Sequence, residues 1–110
     1  MESISGNIFE EVLHTDETEV FTSLFKSDFI KIEKINGIRS YSEPGNWYDQ
    51  QEDEWVVLLR GNAEIEFANK KIITLNAGDY IFIPAHKLHR IRQTSESPEC
   101  LWLAIHGKLK

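Results

Sequence analysis

From Phe29 onward the chain is cut into short runs by turn-forming residues, and this punctuation constrains its fold more than any other feature. Ile30 and Ile32 alternate with Lys31 and Glu33, as in a half-buried strand. Gly37 and then Ser42-Glu43-Pro44-Gly45-Asn46 break the chain. Glu54 to Leu59 is apolar from Trp55 on and reads as a strand buried on both faces. After Arg60-Gly61-Asn62, Ala63, Ile65 and Phe67 alternate with Glu64 and Glu66. Asn69-Lys70 is a hairpin tip, and Lys71 to Leu75 returns antiparallel. Asn76-Ala77-Gly78-Asp79 turns the chain again; Tyr80–Ile83, Leu88–Gln93 and Leu101–His106 complete the set, with a loop over Ser95–Pro98. About seven or eight short strands of this kind form a sandwich or a closed barrel, and a jelly-roll barrel is the expectation.

Before Phe29 the pattern is different. Asp16 and Glu19 have capping-box spacing, and Val20, Phe21, Leu24 and Phe25 fall on one helical face, so a short helix is expected over residues 17–26. Ile8, Phe9, Val12 and Leu13 suit an edge strand or a docking segment. The 110 residues hold one domain, spanning residues 1–110, and one core. The longest apolar run, Trp55 to Leu59, is far short of a membrane span. Met1-Glu2-Ser3 does not read as the start of a signal peptide, so none is expected, and Cys100, the single cysteine, excludes an internal disulfide and a cysteine zinc cluster; a cytoplasmic location is the expectation. The net charge of −6 argues against nucleic acid. The dense bases His86, Lys87, His89, Arg90 and Arg92 would be split between two strand faces.

Two segments carry more than a fold class. Six residues of an apolar strand separate Glu54 from Gly61. Gly78, Pro84 and His89 then follow with five residues between the first two, and sixteen residues separate Gly61 from Gly78. This order and spacing resemble the two motifs of the cupin superfamily, with His86 in place of the second motif's later glycine and Gln93 in place of its asparagine. Trp47 to Trp55 is also similar to a subgroup of small bacterial single-domain cupins. The resemblance implies an all-β, cupin-type jelly-roll barrel whose chemistry lies in the barrel mouth around Glu54 and His89.

The resemblance also implies a divalent metal held by three histidines and a glutamate, and here this chain departs from it. The family's His-x-His pair falls on Trp47 and Asp49, or on Tyr48 and Gln50, and neither register holds a histidine. Asp49, Glu54 and His89 could still form a two-carboxylate, one-imidazole site for iron, zinc, manganese or nickel. His86 could add a fourth ligand if Pro84 and its turn distort the strand, and is otherwise a loop residue at the mouth. Trp47, Tyr48, Gln51, Gln93 and His106 are the candidate pocket residues, with packing or strand-end roles as the plainer alternatives.

Glu54 could instead simply pair with Tyr48 or His89 inside the barrel. Cys100 reads as a buried apolar residue, with nothing to activate it. Three functions stay open: a metal-dependent enzyme acting on a small organic molecule, a metal-free binder of such a molecule, and a homodimeric assembly unit. No organic cofactor, nucleic acid or membrane is expected.

Overall fold

The computed structural model describes residues 5–12, 19–37 and 45–110. Among them are eight strands: β1 (Val20–Lys26), β2 (Ile30–Gly37), β3 (Asp53–Arg60), β4 (Asn62–Phe67), β5 (Ile72–Asn76), β6 (Tyr80–Ile83), β7 (His89–Thr94) and β8 (Cys100–Gly107). They form a five-stranded sheet in the order β1-β2-β8-β3-β6 and a three-stranded sheet in the order β5-β4-β7. All the pairings are antiparallel. This is the jelly-roll arrangement expected from the punctuation. No described helix is long and apolar enough to cross a membrane.

The expected helix over residues 17–26 is corrected where it is described. Val20–Lys26 is a strand paired with β2, while Asp16, Glu17 and Thr18 lie outside the described residues. The register slips between Ser23 and Phe25, a bulge at Leu24. A bulge inserts one residue and interrupts alternation, so apolar pairs at 20–21 and 24–25 imitate helical spacing. Of the N-terminal segment, residues 5–12 form no strand; Lys34 ties them down, its Nζ donating to the carbonyls of Ile8 and Glu10 at 3.3 and 2.6 Å. Leu13 lies outside the described residues.

β3 is also less enclosed than its composition suggests. Glu54, Val56 and Leu58 are buried, whereas Trp55, Val57 and Leu59 are only half-buried. The first set faces the other sheet and the second lies on the outer surface of its own. Val56, Leu58, Ala63, Ile65, Phe67, Leu75, Ile83, Cys100, Trp102 and Ala104 make up most of the core between the sheets. The bases of β7 divide as alternation requires. Arg90 donates to Glu66 at 2.8 Å and Arg92 to Glu64 at 2.9 Å, while His89 turns to the interior.

Gly61 has a physical reason to be glycine. Its φ is +93°, and a Cβ there would stand 2.6 Å from Ser95 Oγ and 3.0 Å from Cys100 Sγ. The turn from β3 to β4 therefore needs both the left-handed backbone and the missing side chain.

Candidate functional site

The two sheets enclose a cavity of about 250 Å³. Its wall is largely apolar, with Phe21, Ile35, Val56, Ile65, Ile83, Ile91 and Trp102. Set into that wall are Glu33 from β2, Glu54 from β3, His106 from β8, His89 from β7, and Tyr48 and Gln50 from the segment before β3.

Strand pairing accounts for the polar group at one end. β2, β8 and β3 are neighbours, and Glu54 lies directly opposite His106 across the β3–β8 ladder. His106 Nε2 stands 3.0 Å from Glu33 Oε1 and 3.9 Å from Glu54 Oε2. Lys31 Nζ lies 3.4 Å from the other oxygen of Glu33. In this pair the His106 Nε2–H donates and Glu33 Oε1 accepts. Burial pushes the Glu54 carboxyl above its ordinary range; His106 and His89 oppose this, the Glu33 charge adds to it, and a hydrogen bond from the Gln50 amide opposes it.

His89 is 4% exposed, and its Nδ1 lies 2.9 Å from the carbonyl of Lys87. A carbonyl can only accept, so Nδ1 carries a hydrogen and donates it there. Tyr48 N–H donates to the His89 carbonyl at 2.7 Å, and His89 N–H returns a bond to Tyr48 at 3.3 Å. Their rings meet edge-on at 5.6 Å. This bridge extends the 48–50 backbone alongside β7, so alternation turns Tyr48 and Gln50 into the cavity and leaves Trp47 and Asp49 outside its lining.

The register left open by the sequence is thereby resolved as Tyr48 and Gln50. Asp49 and His86 meet each other instead, Oδ1 to Nδ1 at 2.9 Å, with side chains 56% and 65% exposed. His86 has a φ of 65°, the left-handed conformation that favours glycine, the residue the motif resemblance implies there. Gln51 borders a shallow outer groove, Gln93 is exposed on β7, and Trp47 is half-buried away from the cavity. Glu54, His89, Tyr48 and His106 do line it. Glu33, Gln50 and Trp102 line it too and were not singled out by sequence reasoning. The Tyr48/Gln50 register was the available signal for Gln50; Glu33 carried none, because it alternates like a wet-face residue.

The family's metal set does not fit these residues. The two positions of the missing histidine pair hold a phenol and a neutral amide, and His106 Nε2 is taken up by Glu33. Among the described residues, no group of three or more His, Cys, Asp or Glu side chains is arranged to hold a metal ion.

At the first residue of β3, Asp53 shows the opposite electrostatics to Glu54. Its carboxylate accepts N–H bonds from Ala85 and Leu109, each at 2.9 Å. The Ala85 bond first, and then the Leu109 bond, hold it below the ordinary carboxylate range. Asp53 thus ties the start of β3 to the turn carrying His86 and to the C-terminal tail.

Residues 41–106 match the family described as the cupin domain. Among solved structures, a Ralstonia eutropha JMP134 protein assigned provisionally as a mannose-6-phosphate isomerase is 35% identical, with 96% of this chain and 99% of that one covered at a TM-score of 0.87. A cupin superfamily protein from Desulfitobacterium hafniense DCB-2 is 21% identical, over 88% of this chain and 84% of that one, with a TM-score of 0.71. An RmlC-like cupin from Desulfovibrio desulfuricans is 17% identical, over 96% and 97%, with a TM-score of 0.70. No curated protein matches the chain. The family match over most of the chain, joined to the eight-stranded barrel and the Glu54 and His89 positions within it, establishes that this protein belongs to the cupin family.

Proposed function

We propose that the barrel binds a small organic molecule and moves a proton on it without the help of a metal ion. Glu54 is the group that exchanges the proton. As a carboxylate it takes a proton from a weakly acidic C–H or X–H of the ligand, and as a carboxylic acid it gives one back at a neighbouring atom. Its displaced pKa suits both halves of that cycle. Glu33 accepts the His106 Nε2–H and so fixes that ring beside Glu54, whose Oε2 lies 3.9 Å away. His89 lines the cavity from the opposite sheet.

The observation that carries this reading is His106 Nε2 standing between two carboxyl groups, 3.0 and 3.9 Å away, in the wall of a largely apolar cavity. A metal held by Asp49, Glu54, His86 and His89 is less well supported, because Asp49 and His86 engage each other on the exposed lip. Proton transfer is compatible with the isomerase assignment of the Ralstonia relative. Its phosphorylated sugar is not, since the described cavity lining has no lysine or arginine to receive a phosphate.

The test is deuterium exchange by NMR. Chelator-treated protein is incubated in D2O with a panel of small ketones, hydroxyketones and lactams, and loss of the α-C–H signals is followed. The expectation is catalysed exchange for at least one compound, slowed on the order of a hundredfold or more by Glu54→Gln. Equal rates in the variant, exchange that needs added metal, or no exchange across the panel would each contradict the proposal.

A further inference from the structure

We propose that the outer face of the five-stranded sheet is a dimer interface, packed against the same face of a second copy of this chain. The proposal stands apart from the reading of the cavity, and its basis is the register of the strands. Across the ladders Phe25 lies opposite Ile32, Ile32 opposite Ile105, Ile105 opposite Trp55, and Trp55 opposite Phe82. Directly opposed residues share a face. Trp55 is on the outer one, since its neighbours Glu54 and Val56 line the cavity. One apolar rung therefore crosses all five strands from β1 to β6. Beside it Leu103, Val57 and Tyr80 form a second rung, and the Trp55 and Tyr80 rings join the two at 5.5 Å.

The solvent face of an antiparallel sheet ordinarily carries polar side chains. Here the one charged side chain on the two rungs is Lys34, opposite Leu103, and its ammonium is drawn aside to the carbonyls of Ile8 and Glu10. Lys110 marks the border at the β6 end, its Nζ 5.8 Å from the Phe82 ring. Phe25, Tyr80 and Phe82 are still 46%, 67% and 37% exposed, and Ile32, Trp55, Val57, Leu103 and Ile105 are half-buried. The three rings leave on the order of 300 Å² uncovered, and the whole strip roughly 500 Å². A standard interface takes about 800 Å² from each partner, about 65% of it apolar in homodimers, so the strip supplies the apolar share of one side. Charge argues for a second copy as the occupant. At a net charge of −6, two copies repel each other over their general surfaces, and this strip is where they can close. A two-fold axis sets the strip on itself, sheet against sheet, and ends the assembly at two.

The experiment is sedimentation velocity on the full chain across the micromolar range, with three variants. Tyr80→Glu and Phe25→Glu place a carboxylate at opposite ends of the strip; Ile72→Glu does so at a 43% exposed position of β5, on the other sheet. Wild type should sediment at twice the mass of the chain. Each strip variant should weaken the dimer at least tenfold, and Ile72→Glu should leave it intact. Circular dichroism and melting of each variant separate loss of the dimer from loss of the fold, and should one strip variant not fold, the other carries the test. A monomeric wild type, a dimer that survives both strip variants, or one that Ile72→Glu disrupts as strongly would overturn the proposal.

Discussion

Adjacent carboxyl groups at the start of β3 are pushed in opposite directions. Glu54 enters the cavity and loses water, so its folded-state pKa lies above that of the unfolded chain. The folded state therefore binds the proton more tightly, and the stability this brings is present below the ordinary glutamate value of 4.5 and is lost as pH rises through the folded pKa. Glu54→Gln is expected to raise Tm at pH 7 to 8, with the advantage shrinking as the melt is repeated toward pH 4. A residue whose removal stabilises the protein is one kept for function. Asp53 has the reverse sign. Its pKa is lowered, so its contribution is present above the ordinary aspartate value of 3.8 and disappears as pH falls through the folded pKa. Asp53→Asn should lower Tm at neutral pH and make little difference in strong acid. At Gly61 the limit is backbone and space. Gly61→Ala should cost roughly 1–3 kcal/mol in urea unfolding from the left-handed φ alone, and more from the contact with Ser95.

Elements explain why some of this was legible in the sequence and some was not. The ladders from β3 to β8 were readable because turn residues separate apolar runs whose length suits strands. β1 was misread because one bulged residue at Leu24 converts period two into a helix-like spacing. In β2, Lys31 and Glu33 alternate as if wet, yet Glu33 lies in the cavity wall, bonded to His106. A buried carboxylate with a partner on another strand cannot be told from a surface one until the strands are paired. The same holds for Tyr48 and Gln50, whose orientation is set by the bridge to His89. Glu54 and His89 could be found because motif spacing fixes them; Trp102 could not, because a core tryptophan and a cavity tryptophan have the same local sequence. β3 is the strand on which the barrel depends. Leu58, fully buried, should cost about 2–5 kcal/mol when replaced by alanine, read as a fall in the denaturation midpoint with little change in slope.

At the scale of the molecule, the barrel retains the cupin frame while its interior departs from the family's metal set. Two sheets bring residues of β2, β3, β7 and β8 to one cavity, and the positions where the family has paired histidines hold Tyr48 and Gln50. One architecture carries many chemistries, so the side chains in the cavity decide the function and the fold does not. The most direct test of this account is a calorimetric titration of chelator-stripped protein with iron(II), manganese, nickel and zinc. The account predicts no one-to-one binding in the barrel, and the same weak heats from wild type, Glu54→Gln and His89→Ala. One equivalent of metal bound by wild type, and lost in both variants, would contradict it.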